Sequence, residues 1–183
     1  MKVSDVIKNC FVKLGYGVVD VTDTENLTTE QKRLIDILSC CVENVHSEII
    51  SAYFPNVVTE NVTLVDGKLE YSTLKNPKIV YPISLKRGAE TRKIKAYPTF
   101  LQSDFSGDAT FEFCALLQKY ELSTELPGNV PCWLLSEGVV AEYAYASNLI
   151  DLGAQAEKKF REGICALKAH GGAGRYVKPR RWA

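Results

Sequence analysis

The sequence predicts a mainly α fold with a β insertion: a helical bundle of about four helices, interrupted by a small antiparallel β unit and ending in a flexible C-terminal arm. Three observations predict it. Residues 131–170 carry two helical patterns joined by a very short turn. Residues 28–53 carry the strongest three-and-four-residue apolar periodicity in the chain. Between them, residues 57–117 switch to a period of two, the pattern of strands. The expected organisation is therefore 1–56 for the N-terminal helices, 57–117 for the β insertion, 118–170 for a loop and helical hairpin, and 171–183 for the arm.

The first helix is expected over residues 3–14. Ser4 can cap it, and Val6, Ile7, Cys10, Phe11 and Leu14 form its apolar side. Gly15 and Gly17 end it. Thr28-Thr29-Glu30-Gln31 is a capping box, in which Thr28 accepts from the N–H of Gln31 and the Gln31 side chain reaches back. It opens a long helix to about residue 53, with the stripe Leu34, Ile37, Leu38, Cys41, Val45, Ile49 and Ala52. Pro55 stops it. His46 lies beside that stripe and reads as a satisfied helix histidine, since no catalytic or ligating partners accompany it in sequence.

The strands follow. Residues 60–65 and 68–72 flank Asp66-Gly67, the strongest short hairpin signal. A third strand, 79–85, contains Pro82, which places it at an edge or an irregularity. Residues 92–97 and 109–116 alternate again. Residues 119–129 return the chain to the helical hairpin. There, Pro131 suits a first helical position. Trp133, Val140, Tyr143, Ala144 and Ser147 share one side, and Asn148 is a left-handed stop. Asp151 can cap the next helix, whose stripe is Ala154, Ala156, Phe160, Ile164 and Leu167. Small residues (Ala141, Ala144, Ala146, Ala154, Ala156) let the two backbones approach.

Composition narrows the function. The chain has 183 residues, 46% hydrophobic and 24% charged, enough to build a core as one domain, or one domain carrying an insertion. Its formal net charge is zero, which argues against wholesale binding of a polyanion. No apolar run reaches the length of a membrane span, and no signal-peptide pattern opens the chain, so synthesis in a cytoplasm is expected. Cys10, Cys40, Cys41, Cys114, Cys132 and Cys165 contain no CxxC pair and read as small packing residues. No phosphate loop, GxSxG or HExxH is present. Glu137 and Glu142 read as solvated helix positions, or as buried partners of an arginine. No catalytic residue, cofactor or metal ligand is assigned, and the chain is expected not to be an enzyme.

The one functional signal is the last stretch, GGAGRYVKPRRWA. Three glycines give a hinge. Arg175, Lys178, Arg180 and Arg181 are basic with no acid among them, and Tyr176 and Trp182 are aromatic. Such an arm cannot fold alone. It fits docking on a partner, with Trp182 filling a pocket and the arginines meeting carboxylates. A frayed end without a role and a phosphate-contacting tail are the competing readings.

The order of these features resembles the head–tail connector adaptors, or neck and head-completion proteins, of tailed bacteriophages. The resemblance covers nearly the whole chain: LTTEQ leading into LIDILSCCVENVHSEI, then VDGKLEYSTLKNPKIVYPISLKRG and KAYPTFL, then LPGNVPCWLLSEGVVAEYAYASNLIDLGAQAEKKFREGICAL, and KPRRW at the end. GVVAEYAYASNLIDLGAQAEKKF and KPRRWA carry most of it. The sizeable β insertion and the cysteine content depart from the family pattern. The resemblance implies a structural virion protein, made in the host cytoplasm and placed in the neck at the head–tail interface. It implies a homo-oligomeric ring, a dodecamer, below the portal, with the genome DNA passing through the lumen without sequence-specific binding. The portal protein and the next neck or tail-completion protein would be its partners, with no membrane involved. Arg175, Tyr176, Val177, Lys178, Pro179, Arg180, Arg181 and Trp182 would form the portal-docking segment. The alternative is a nucleic-acid-binding accessory protein using the same basic tail.

Overall fold

The computed structural model describes residues 1–170 apart from 24, 77, 128 and 129. The expected flexible arm, 171–183, lies outside the described residues. Helices α1 (Val3–Lys13) and α2 (Thr29–Glu48) come first, followed by a π-helical turn, Ile49–Tyr53. Seven strands follow: β1 (Val57–Leu64), β2 (Lys68–Glu70), β3 (Ile79–Arg87), β4 (Glu90–Arg92), β5 (Ile94–Ala96), β6 (Phe100–Ser103) and β7 (Gly107–Ala115). Helices α3 (Cys132–Ala146) and α4 (Ile150–His170) complete the described chain. Two compact units result: Met1–Tyr53 with Lys119–Ala183, and Phe54–Gln118.

The expected mainly α bundle with one small β unit is corrected. Helix accounts for 45% of the described residues and strand for 25%, the strands form two antiparallel sheets, and the fold is mixed α/β. The physical reason is in residues 90–103, where β4, β5 and β6 are only three or four residues long. Such strands are too short to display a period. Their partners are set by tertiary packing.

In the sheet unit one sheet has the order β1-β7-β3-β4 and the other β2-β6-β5. Asp66 and Gly67 both have positive φ, 50° and 72°, as a two-residue type I′ turn requires. Val65 and Lys68 exchange both backbone hydrogen bonds across it, at 3.0 and 2.9 Å. The pairing stops there: β2 leaves β1 and pairs with β6. The expected hairpin is therefore a corner between two sheets. Gly67 is tied to that corner, because a Cβ on it would lie 2.7 Å from the Ser103 carbonyl oxygen. Pro82 sits inside β3 beside a register shift against β7, which spares the ladder the N–H it lacks. Leu64, Leu69, Leu74, Leu85, Leu101, Phe111 and Phe113 form the core, with Phe111 and Phe113 stacked at 4.9 Å.

In the helical unit, α3 is the centre and packs against α1, α2 and α4. Every residue from Leu134 to Ala141 is buried, so the first half of α3 has no polar face. The expected one-sided stripe fails for this reason, and Trp133, placed on it, is 52% exposed. Close approach of α3 and α4 rests on glycines more than on the expected alanines. A Cβ on Gly163 would fall inside the Leu134 side chain, and one on Gly138 would lie 3.0 Å from the Phe160 ring of α4 and 2.7 Å from Val45 Cγ1 of α2. Ala154, assigned to the buried stripe of α4, is exposed, while Gly153, Ala156, Phe160, Gly163 and Ile164 are buried.

The helix ends also differ in detail. The Thr28–Gln31 capping box forms as read, at 2.9 and 3.2 Å. On α1 the cap is Lys2, whose backbone N–H donates to the Asp5 carboxylate at 2.8 Å, and Ser4 is buried. The N–H groups of Val3 and Ser4 donate to the carbonyls of Thr124 and Leu122. Pro131 stands one position earlier than expected, as N-cap. Asn148 takes φ 61°, the left-handed stop. Asp151 lies in the first turn of α4 instead of capping it.

Candidate functional site

The residues assigned to partner docking, Arg175 through Trp182, lie outside the described residues. The described structure fixes the element from which they extend. Helix α4 packs against α3 and bears, near its end, Lys168. The Lys168 ammonium stands 4.4 Å from the centroid of the Tyr53 ring, a cation–π contact with the end of the π-helical turn. The Tyr53 hydroxyl donates to Glu48 Oε1 at 3.2 Å. Nearer its start, α4 is tied to α3 by the Tyr145 hydroxyl, which donates to Glu157 Oε2 at 2.7 Å. Arg161 also donates to Glu157, through Nε at 2.8 Å and through its Nη2. These two partners hold the Glu157 carboxyl below its usual range, the Tyr145 hydroxyl being the larger cause. The last helix thus has a defined course up to the start of the glycine hinge. The Glu157–Arg161 pair follows i,i+4 spacing on one helix, whereas nothing in the spacing announces the Lys168–Tyr53 and Tyr145–Glu157 contacts, whose partners lie on different elements.

The polar groups buried in the helical unit are structural in their bonding. His46 is 2% exposed. Its Nε2 lies 3.3 Å from the Pro127 carbonyl, which can only accept, so Nε2 carries the proton and Nδ1 accepts from the Tyr120 hydroxyl at 3.0 Å. Both nitrogens are engaged by the loop leading to α3, and burial lowers the His46 pKa. Glu137 is corrected: it is 8% exposed and pairs with Lys13 of α1, not with solvent. Glu142 accepts from Asn44 Nδ2.

Cys10, Cys41 and Cys114 are buried packing groups as expected, whereas Cys40 and Cys165 are exposed and depart from that reading. Burial pushes Cys10 up to about 12 and Cys41 up to about 11, so both are neutral at physiological pH. Cys10 Sγ donates weakly to the Ser136 carbonyl at 3.8 Å, and Asn9 Nδ2 donates to Cys132 Sγ at 3.1 Å. Among the described residues no group of three or more His, Cys, Asp or Glu is placed to hold a metal ion.

Each unit carries a surface depression among its described residues. In the helical unit, Tyr16, Arg33, Leu34, Ile37 and Tyr143 line a groove of about 470 Å³. In the sheet unit, Asn61, Thr63, Lys86, Asp108 and Thr110 line one of about 390 Å³ on the polar face of the larger sheet. There the Thr63 hydroxyl donates to Asp108 at 2.6 Å, and Lys86 is paired with Glu112 at 2.6 Å. No described helix is long and apolar enough to cross a membrane. No protein-family model matches the chain, and no curated protein matches it significantly.

Proposed function

We propose that this chain is a structural virion protein, a head–tail connector subunit that forms a ring below a phage portal and links it to the next neck or tail component. In this reading it is not an enzyme. Its C-terminal segment docks on the portal through Arg175, Tyr176, Lys178, Arg180, Arg181 and Trp182. One observation carries the reading. The Lys168–Tyr53 contact anchors the last described helix, and a basic, aromatic-tipped segment follows it directly. A rigid base with an arm that orders on docking couples attachment to the presence of the partner. Repetition around a ring multiplies each weak contact. The occupied nitrogens of His46 and the neutral buried thiols support a structural over a catalytic use of these groups.

The test is portal decoration by the full chain, by a chain ending at His170, and by Trp182→Ala. Both variants are expected to keep the helix and sheet content of the parent and to lose portal binding. Decoration at the parent level by the truncated chain refutes the arm's role. A second reading has one observation in its favour: four cations and no acid in residues 171–183. It makes the chain a nucleic-acid-binding accessory protein. Tight duplex binding that falls steeply with salt, lost in the truncated chain, would replace the connector reading.

A further inference from the structure

We infer that the groove at one end of the helical unit receives the C-terminal arm, residues 171–183, of another copy of this chain. The groove lies where α1 ends, α2 begins and α3 ends. Tyr16, Leu34, Ile37 and Tyr143 form its apolar wall, and Glu30 and Arg33 stand on its polar side. Leu34 is buried, but Ile37 is 39% exposed and Tyr16 is 56% exposed. Ile37 continues the apolar stripe of α2, yet α1 and α3 leave it partly open to solvent.

The arm matches this groove in chemistry and in charge. Residues 171–183 contain Tyr176, Val177 and Trp182, and four cations with no acid. Residues 15–31, which run from one wall of the groove to the other, contain Asp20, Asp23, Glu25 and Glu30 and no cation. Lys8 pairs with Asp20 at 3.0 Å, and Arg33 follows Glu30 by one turn of α2. Asp23 accepts from the neutral Asn26 amide at 2.7 Å, and neither it nor Glu25 has an ion pair among the described residues. Asp23 and Glu25 are therefore the carboxylates left for Arg180 and Arg181. Tyr176 and Trp182 bring flat rings, apolar in body and polar at the tip, of the kind that fill such a groove.

Reach assigns the arm to another copy. Gly153 of α4 lies against Tyr145 and Gly163 against Leu134, so α4 runs back along α3. The groove is at the Tyr143 end of α3, where α4 starts. α4 has 21 residues and is about 30 Å long, which puts His170 at the far end. Tyr176, six residues further on, extends at most about 20 Å from there and falls short of its own groove. The groove of a neighbouring copy carries no such constraint, and the net charge of zero leaves no overall repulsion between copies. An arm-into-groove contact is head-to-tail, and such contacts build rings or open chains. A portal would have to take the arm from this groove, and the inference rests on the connector reading for that competition alone.

Sedimentation equilibrium of the full chain over a micromolar-to-millimolar series tests the contact without a portal. Self-association is expected, and it should weaken as salt rises. Trp182→Ala removes the ring at the tip of the arm, and Ile37→Arg puts a cation into the groove. Each should weaken association at least about tenfold. Tyr16→Ala, at a more exposed position, should act in the same direction and guards against a folding defect at Ile37. A mixture of the first two variants is decisive. Trp182→Ala keeps its groove and Ile37→Arg keeps its arm, so the mixture should recover the parent affinity and stop at two chains. A parent chain that stays monomeric throughout overturns the inference, as do variants that associate at the parent affinity or a mixture that forms no pair. Loss of this association with portal decoration intact strikes the inference alone. Association as described, with portals left bare, strikes the connector reading alone.

Discussion

The helical unit and the sheet unit solve the backbone hydrogen-bonding problem differently. Within the helices of the helical unit the interior N–H groups find their acceptors in the same helix, and only ends such as Val3 and Ser4 reach another segment, so helix neighbours are chosen by side chains. α3 can then be buried on all sides, with Gly138 and, on α4, Gly163 letting the helices close to contact. In the sheet unit every acceptor belongs to another strand. The last strand in the order, β1, therefore ends with donors and acceptors that nothing in its own unit uses. A helical surface advertises a partner through side chains alone, whereas a sheet edge advertises one through the backbone.

The contrast can be pressed by substitution, beginning with the sheet core. Phe111 is fully buried and stacked on Phe113. Phe111→Ala should cost about 3–5 kcal/mol in denaturant unfolding, from the lost transfer energy and the cavity left behind. A loss below about 1 kcal/mol would mean that this core is not packed as described. The matching change in the helical unit adds volume instead of removing it. Gly163→Ala should destabilise by about 1–3 kcal/mol through overlap with Leu134. At an exposed helical glycine the same replacement would stabilise by up to about 1 kcal/mol. The sign of the effect therefore reports whether α3 and α4 approach this closely.

pH gives a finer probe, specific to the helical unit. Burial lowers the folded-state pKa of His46. The unfolded chain then binds the proton first, and stability falls as pH drops through the unfolded histidine value of about 6.5 toward the folded one. Below that window the contribution levels off. The slope from this one group is at most about 1.4 kcal/mol per pH unit. Urea midpoints measured from pH 8 to pH 5 should decline over this range, and His46→Phe should flatten the decline. An unchanged slope in the variant would assign the effect elsewhere. The smallest expected change is at a helix end: Thr28→Ala removes the acceptor for the Gln31 N–H and should cost about 1 kcal/mol.

Legibility in the sequence followed the same division. Signals that act over three or four residues were readable: the Thr28–Gln31 box, the left-handed Asn148, the Asp66-Gly67 turn and the irregularity at Pro82. Each depends on the chemistry of a local backbone. What failed depends on distant partners. The departure of β2 from β1 follows from pairing with β6, and the short strand β6, which was not read, exists through its neighbours β2 and β5, whereas β5 lies within the strand expected at 92–97. The solvated reading of Glu137 failed because Lys13 comes from α1, 124 residues earlier. The periodicity of α3 was misread because a helix buried on several sides has no stripe. Of the candidate site, the basic and aromatic character of residues 175–182 was plain, while the Lys168–Tyr53 anchor beneath it left no trace in spacing.

Cryo-electron microscopy of the full chain mixed with an isolated portal bears most directly on the proposed role. A ring of copies should sit on the portal, with residues 175–182 traced as an ordered segment against portal side chains and α4 retaining its Lys168–Tyr53 anchor. Bare portals beside free chains, or residues 175–182 folded onto their own subunit, would contradict it.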